Sequence, residues 1–426
     1  MTPDANGQTD LPPTDPADRP DTPRAKRPGI RRKKLPVLKK LAFLLVILVG
    51  TWLLLEFGLI LAGISFPLLY QPDAQVATLL KPNLNVRYTE EGNAIVQTNS
   101  RGFRDLERNR RGKEGNFRIA IIGDSFCEAI QVERKESFGY LLEQGLNRNG
   151  IPAEVLNFGI SGFGTAQEFE LLRHRVLDYG PDLVILGMFL GNDIGDNSRE
   201  INPGQLKPYY DLVDGQLVLD DRFRQAAEFI EAQSWATRAK AVCINSSRVL
   251  QLLNRFYSRF KNRHRPRANV GIGLDPDLYA PPQTTAWTDA WQVTEALLLA
   301  CRDQSEKNGA SFLVVTFSNP IQVHPDPEVR REFQNKHDLE SLFYPDDRIA
   351  GYCKQKGIEH LQLAPRFLED VETSKQPIYY HGFPNTLLGA GHWNSRGHQR
   401  AGELLVPICQ EIASRKQNTP KAGRQE

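Results

Sequence analysis

Ser125 is the first residue whose type and position indicate chemistry. It lies in the stretch Gly-Asp-Ser-Phe-Cys at 123–127, directly after the apolar run RIAII at 118–122. A short continuous apolar run predicts a strand that is buried on both faces, so Ser125 is expected where that strand ends. Asp and Ser are also ordinary turn residues, and the serine is therefore informative only in combination with other segments.

Three further segments place glycine, asparagine or histidine after predicted strands or before the last helix. They are GISGFGT at 159–165 with Gly162, GND at 191–193 with Asn192, and GHWNSRGH at 391–398 with His392. In a parallel sheet the carboxyl ends of all strands open at one edge, where ligands bind. The four segments are therefore expected to meet there.

These residue types are the ones that acyl transfer requires. Serine is a weak nucleophile unless a base takes its proton, and His392 is the candidate base for Ser125. The backbone N–H groups of Ser125 and Gly162 and the side-chain amide of Asn192 are candidate donors to a tetrahedral oxyanion. Gly162 suits this role because a Cβ atom would obstruct close approach of the backbone. Asp124 and His381 are candidate supporting residues.

The elements that must position these residues alternate between strand-like and helical patterns. Strands are predicted at 117–123, 153–159, 182–193, 310–320 and 358–365, and helices at 138–150, 165–180, 287–309, 347–357 and 397–415. Such alternation predicts an α/β fold with a parallel sheet and helices on both faces.

An apolar segment precedes this domain. From Leu41 the chain is apolar for more than the about 20 residues that a membrane helix needs, interrupted by Glu56. The sequence predicts one transmembrane helix at 39–65, with Glu56 near the outer interface in reach of water. Nine lysines and arginines between 24 and 40 predict a cytoplasmic N-terminus and export of everything after about residue 70, to the periplasm or the cell exterior.

Composition narrows the function classes. The 426 residues carry a net charge of only +2, so the overall charge gives no indication of nucleic-acid binding. The five cysteines form no CxxC pair, so neither a zinc site nor another metal or cofactor is predicted. Their odd number and apolar surroundings favour mostly buried, unpaired thiols, with one or two disulfides as the alternative in an oxidising compartment. No GxGxxG or GxxxxGK[ST] follows the first strand, which makes a nucleotide-binding protein the weakest hypothesis.

The ordered set GDSF, NFGISG, GND and GHWNSRGH resembles the four blocks of the SGNH/GDSL hydrolases. The preceding TNSRGFRD at 98–105 resembles a segment common in membrane-anchored bacterial members of that family. The resemblance covers roughly 117–415 and matches Ser125, Gly162, Asn192 and His392 to the four named residues of that family. It implies a flavodoxin-like three-layer α/β/α sandwich and hydrolysis of ester bonds.

Two positions depart from the family pattern. Leu190 stands where the third block has its first glycine, and Gly389 stands where the fourth block has the Asp that orients the histidine. Three possibilities are open for the group that orients His392. A backbone carbonyl of 387–391 could accept its hydrogen bond, an acid from elsewhere such as Glu369 or Asp370 could reach it, or the site could lack such a group and be inactive. The glycines of this loop favour the carbonyl.

The remaining segments complete the predicted organisation. They are a disordered basic tail at 1–38, an irregular packing segment at 71–116, an insertion at about 196–286 within the hydrolase-like domain of 117–415, and a disordered end at 416–426. The insertion is interpreted as a lid or cap. Its basic, aromatic stretch RFYSRFKNRHRPR at 255–267 is either a solvated helix face or a contact for acidic glycans or lipid headgroups.

Three functional hypotheses follow. The leading one is an exported, membrane-anchored serine esterase that acts on acyl esters, for example O-acetyl groups of cell-surface glycans. The second is an acyltransferase that passes the acyl group to a sugar hydroxyl. The third is a non-catalytic glycan-binding or scaffolding protein, which the missing Asp favours. Protein partners and oligomeric state are not predicted.

Overall fold

The computed structural model describes residues 36–110, 112, 115–261 and 275–418. Most of the predicted N-terminal tail lies outside this range, as does the chain end beyond residue 418. The first residues of the predicted C-terminal tail are helical, since the last helix continues to Asn418. The chain divides into a unit up to Trp52 and a larger unit from Leu53 onward.

The first helix, α1, spans Val37–Leu61, and none of its side chains is buried. It is long and apolar enough to cross a membrane, judged by length and composition. Its 25 residues rise about 37 Å, which exceeds the thickness of a bilayer core of about 30 Å. Whether it is inserted, and in which orientation, remains a prediction.

Five parallel strands form the central sheet, as predicted. They are β5 (Phe117–Gly123), β6 (Ala153–Asn157), β7 (Leu183–Phe189), β10 (Ser311–Phe317) and β11 (Glu359–Gln362). Four short strands, β1 to β4, precede β5 in the chain, and a hairpin of β8 and β9 lies between β7 and β10; both are described below. Their spatial order is β6-β5-β7-β10-β11. In chain order this is 2-1-3-4-5, the flavodoxin-like arrangement, in which ligands bind where the order reverses, beside β5. The predicted fold class is confirmed.

Helices cover both faces of this sheet. Larger helices of the domain are α3 (Phe138–Arg148), α4 (Thr165–Leu171), α9 (Thr285–Lys307), α11 (Tyr344–Lys356), α12 (Ala364–Thr373) and α13 (Ser395–Asn418). Alternate residues of β5 enter two different cores: Ile119 packs with α3, α12 and α13, whereas Ala120 packs with α4, α9 and α11. A strand buried on both faces reads as the continuous apolar run seen in the sequence.

The segment 71–116, predicted to be irregular, contains two antiparallel hairpins. The first pairs β1 (Tyr70–Asp73) with β2 (Ala77–Leu80), and the second pairs β3 (Asn85–Tyr88) with β4 (Ala94–Gln97). The prediction was wrong because each strand has only four residues, too few for a period-two pattern to stand out. In β4 the alternation is clear only from burial, with Ala94 and Val96 buried and their neighbours exposed.

The part of the insertion that the structure describes, up to residue 261 and from residue 275, contains a hairpin and three α-helices. Strands β8 (Tyr209–Val213) and β9 (Gln216–Asp220) pair around Asp214-Gly215, both at positive φ, as is typical of an Asp-Gly hairpin turn. They are followed by α6 (Ala227–Gln233), α7 (Trp235–Asn245) and α8 (Arg248–Lys261). Tyr210 and Tyr279 belong to the main hydrophobic core, so parts of the insertion are integral to the domain.

The cysteines are as predicted. All five are free, and four of them are buried, whereas Cys243 is exposed.

Candidate active site

Ser125 is the first residue of a one-turn helix, α2 (Ser125–Glu128), which begins directly after the central strand β5. Asp124 caps this helix, since its Oδ1 accepts a hydrogen bond from the N–H of Phe126 at 2.9 Å. Burial of Asp124 raises its pKa to about 6. The turn therefore holds Ser125 at the carboxyl end of the sheet, and Asp124 acts here as a capping residue.

His392 lies within hydrogen-bond distance of Ser125, although the two residues are 267 positions apart. Its Nε2 is 2.8 Å from the serine Oγ. The other ring nitrogen, Nδ1, is 2.5 Å from Oε2 of Glu91. An ionised carboxylate only accepts, so Nδ1 carries the proton and Nε2 accepts the hydrogen bond from the serine hydroxyl. This is the tautomer that a general base requires.

Glu91, between β3 and β4, is the acid that sequence analysis missed. Its Oε1 also accepts a hydrogen bond from the backbone N–H of His392 at 2.8 Å. Burial opposes its ionisation, but the hydrogen bonds from the side chain and the backbone of His392 hold the pKa of the Glu91 carboxyl below its ordinary value. The carboxylate is therefore charged at neutral pH and both of its oxygens face His392.

The expectation that a carbonyl of 387–391 orients His392 is thus wrong. That loop does supply an acceptor, the Gly391 carbonyl, but it accepts from Nδ1 of His381 at 2.8 Å. Gly391 serves Glu91 in another way. It has φ +76°, and a Cβ there would lie 2.2 Å from Oε1 of Glu91, so only glycine lets the carboxylate approach.

Gly389, at the position of the usual Asp, cannot be replaced by that residue without rearrangement. It has φ +83°, and a Cβ would lie 2.7 Å from Nε2 of His324. The other proposed acids lie on α12, which the sequence had not predicted. Asp370 accepts hydrogen bonds from Tyr380 and Arg400, and Glu369 is exposed beside Arg366.

The Glu91 turn is tied to the histidine loop by Asn385. Its Nδ2 donates to the carbonyls of Thr89 and Gly92, and its Oδ1 accepts from the Gly92 N–H at 3.0 Å. A hairpin far away in the sequence is in this way held against the loop before α13. No linear motif contains this information; an acidic residue in a Glu-Glu-Gly turn was the one available signal.

Gly162 and Asn192 line the same cavity as Ser125 and His392, as predicted. Gly162 has φ +77°, and a Cβ there would point into open space, so backbone conformation and not crowding is what requires glycine. Asn192 belongs to α5 (Leu190–Asp193), the turn after β7. Its Nδ2 donates two long hydrogen bonds, 3.3 Å to the Phe163 carbonyl and 3.4 Å to Asp196, and can exchange them for a stronger acceptor.

His381 is buried beside the site and does not line the cavity. Its Nε2 is 2.9 Å from Oγ of Ser318, and burial lowers its pKa to about 3. The ring is therefore neutral. By holding the Gly391 carbonyl, it positions the loop that carries His392.

The cavity has a volume of about 1280 Å³. Its polar end is formed by Ser125, Gly162, Asn192 and His392. The rest of its wall includes the segment after α1, the turn after α2, the end of β7 and helix α7, with apolar side chains from each, among them Leu68, Leu69, Ile130, Phe189 and Val242. Among the described residues, no group of three or more His, Cys, Asp or Glu side chains could hold a metal ion.

No family model matches the chain, and no curated protein matches it in sequence. Solved structures similar to it include TesA, with a TM-score of 0.33 and 14% identity over 69% of this chain and 99% of that one. The acetyl xylan esterase AlAXEase has a TM-score of 0.35 and 14% identity, covering 68% and 98% of the two chains. A member of the lipolytic protein G-D-S-L family from Veillonella parvula has a TM-score of 0.36 and 8% identity, covering 69% and 98%. The solved structures to which the chain is similar thus include one titled as an acetyl xylan esterase and one titled as a member of a lipolytic protein family.

Proposed function

We propose that this protein is a membrane-anchored serine esterase that hydrolyses acyl esters through Ser125, His392 and Glu91. The observation that carries the proposal is the unbroken series of contacts from the serine Oγ to His392 and from His392 to Glu91, at the polar end of a large cavity. Nucleophile, base and orienting acid in this geometry define the catalytic triad independently of chain order.

The reaction follows from the tautomer of His392. As the Ser125 oxygen attacks the ester carbonyl, Nε2 takes the hydroxyl proton, and the Glu91 carboxylate stabilises the imidazolium that forms. The N–H groups of Ser125 and Gly162 and the Asn192 amide donate to the oxyanion. When the tetrahedral intermediate collapses, Nε2 returns the proton to the departing alcohol. A water molecule, deprotonated by the same nitrogen, then attacks the acyl carbonyl, and Nε2 passes that proton to the serine oxygen as the ester bond to Ser125 breaks and the acid departs.

Localisation is part of the proposal. The lysines and arginines before α1 and the apolar character of that helix support a cytoplasmic N-terminus and an exported catalytic unit. Protease added to cells whose outer layer has been opened while the inner membrane stays intact is expected to cut within 71–426. Cleavage that requires lysis of that inner membrane would contradict export.

The substrate class is an acyl ester, and the O-acetyl group of a cell-surface glycan remains the finer proposal. Hydrolysis of p-nitrophenyl esters of graded chain length tests it. The full chain in detergent is the right material, because residues 65–70 line the cavity and a fragment from residue 71 would lack that wall. Preference for acetate would support the glycan ester, whereas preference for long chains would redirect the proposal to lipid esters.

The size of the cavity favours one second candidate. Its volume of about 1280 Å³ is larger than the about 300–1,000 Å³ of typical small-molecule sites, so it has room for an acyl donor and an alcohol acceptor together. An acyltransferase would form product only when a sugar acceptor is supplied, and an esterase would not need one.

Fluorophosphonate labelling separates both enzymes from a binding protein. Ser125 is expected to react covalently, and Ser125→Ala to abolish the label. If the folded wild-type chain stays unlabelled at high probe concentration, the proposed activity is excluded.

A further inference from the structure

Helix α8 carries an apolar stripe that no described residue covers. Leu253, Phe256, Tyr257 and Phe260 have relative exposures of 55, 59, 60 and 73%. Their spacing of three, four and seven residues places them on one helical face. Gln251, on the opposite side of the helix, is buried inside the domain, and Val249, one turn before Leu253 in line with the stripe, is buried as well, so the exposed stripe begins at Leu253. Clustered aromatic exposure of this kind marks an interaction surface more often than a solvated face.

The beginning of α8 is attached to the last turns of α1. The Glu56 carboxylate accepts hydrogen bonds from the Ser247 hydroxyl at 2.7 Å and from the N–H groups of Arg248 and Val249 at 2.7 and 3.1 Å. The acid that interrupts the apolar helix therefore caps α8 and does not simply face water, as the sequence had suggested. If α1 crosses the membrane, α8 begins at the depth where that span ends.

A second contact holds α8 against the chain that leaves α1. The guanidinium of Arg255 lies 3.8 Å from the centre of the Phe66 ring and also pairs with Glu90. Both contacts lie within the first two turns of α8, so its direction as well as its start is fixed relative to residues 56–66.

The charge of α8 is complementary to an anionic lipid surface. The helix contains three arginines, one lysine and no acidic residue. Arg248 and Arg255 make the contacts above, whereas Arg259 and Lys261 are exposed beside the aromatic stripe. An apolar face rich in aromatic residues and flanked by cations is typical of helices that lie in the plane of a bilayer interface.

We propose that α8 lies in the membrane interface, with its stripe at the boundary of the acyl chains and Arg259 and Lys261 among anionic headgroups. The occupant of the stripe is thus the bilayer that α1 crosses. Helix α7 packs against α8 and contributes Val242 to the cavity wall. The relative exposure of Val242 is 70%. The interfacial position of α8 therefore brings this wall of the cavity to the bilayer surface.

Depth-dependent fluorescence quenching tests the proposal with the full chain. Exposed Cys243 is replaced by serine, and a fluorophore is attached to one new cysteine, at Phe260→Cys, at Leu106→Cys as an exposed apolar control, or at Leu54→Cys within α1. The protein is reconstituted in phosphatidylcholine vesicles that contain phosphatidylglycerol. Spin-labelled lipids then carry the quencher in the headgroup or in the acyl chain.

The label at Phe260→Cys is expected about 5–10 Å below the headgroups, and the label at Leu106→Cys is expected to escape quenching. Additional Leu253→Ser, Phe256→Ser and Tyr257→Ser changes should reduce quenching at position 260 to the control level. Arg259→Gln with Lys261→Gln, or omission of phosphatidylglycerol, should move the label outward.

Three outcomes would overturn the proposal. A label at 260 that is shielded from water but not quenched by lipid would show that protein covers the stripe, either this chain or a second copy. A label in water would show that nothing does. Absence of quenching at Leu54→Cys would remove the span on which the proposal depends. Quenching does not require an active site, so this result is independent of the proposed esterase activity.

Discussion

Two serine–histidine pairs lie near the ring of Phe126. Nε2 of His392 is 2.8 Å from Oγ of Ser125, and Nε2 of His381 is 2.9 Å from Oγ of Ser318. The two imidazoles lie 5.0 and 5.9 Å from the Phe126 ring, measured between centroids. In both pairs Nδ1 donates a hydrogen bond to an oxygen of the protein.

The pairs differ in the third partner and in access. His392 donates to the Glu91 carboxylate and lines the cavity, whereas His381 donates to the Gly391 carbonyl and is buried. The hydroxyl of Ser318 also accepts a hydrogen bond from Nε1 of Trp393 at 2.9 Å. A carboxylate stabilises imidazolium, and a neutral carbonyl in an apolar surrounding does so much less.

A contact between a serine and a histidine is therefore not by itself sufficient evidence of catalysis. The Nε2–Oγ distance in the buried pair, Ser318 and His381, is nearly the same as in the pair of Ser125 and His392, which we call the exposed pair because it lines the cavity. The buried histidine, however, has a pKa of about 3, so it would be a poor base even if a substrate could reach it. Charge of the third group and exposure to the cavity are what distinguish the candidate site from a structural network.

The largest effect is expected at the exposed pair. His392→Ala removes the base of Ser125 and should lower kcat by about 10⁴–10⁶-fold, measured with a p-nitrophenyl ester. Ser318→Ala is the matched control in the buried pair and should retain activity within about tenfold. Similar losses in both variants would contradict the functional distinction between the pairs.

Glu91→Gln converts the third group of the exposed pair into a neutral one, like that of the buried pair. Loss of the charge and of the correct tautomer should lower kcat by about 10³–10⁴-fold, as substitution of the orienting acid does in other triads. Glu90→Gln, at the neighbouring position, is the control, and Glu369→Gln and Asp370→Asn should each lose less than about tenfold. Full activity in Glu91→Gln would show that His392 needs no charged partner.

Oxyanion donors are a further property by which the pairs differ, since Asn192 and Gly162 are proposed as donors beside the exposed pair. Asn192→Ala should lower kcat by about 10²–10³-fold. Gly162→Val should be comparably harmful, because valine disfavours the positive φ of that turn. If both variants fold, as judged by circular dichroism, and hydrolyse esters at the wild-type rate, the oxyanion hole lies elsewhere.

The buried pair should contribute to stability. Ser318→Ala leaves Nε2 of His381 and Nε1 of Trp393 without their shared partner, and should lower the free energy of unfolding by about 1–3 kcal/mol. Urea unfolding of the full chain in detergent measures this. An unchanged midpoint would mean that the network is not structural.

The last effect, similar in size to that of Ser318→Ala, is a pH dependence of stability. His381 has its pKa lowered to about 3, so below about pH 6.5 the unfolded chain binds a proton that the folded chain does not. The free energy of unfolding should therefore decrease as the pH falls, by about 2 kcal/mol from this residue between about pH 7.5 and about pH 5. His381→Gln should reduce this slope without abolishing it, since buried His398 also has a pKa of about 3. An identical slope in the variant would show that His381 is protonated in the folded state.

The parallel sheet and the places of Ser125, Gly162, Asn192 and His392 could be predicted from the sequence alone. Continuous apolar runs are the direct consequence of strands buried on both faces, and each of these residues follows a strand or precedes a long helix. Parallel connections bring the carboxyl ends of the strands to one edge. Local pattern was therefore enough to predict that these four residues meet.

The identity of the acid could be recognised in the folded chain alone. Glu91 lies 301 positions before His392 in a hairpin of two four-residue strands, and its approach depends on Gly391 and on the Asn385 contacts. The cap formed by Glu56 on α8 was hidden for the same reason. Each contact joins segments that share no local period or motif, so its partners are specified by packing of the folded chain and not by spacing along it.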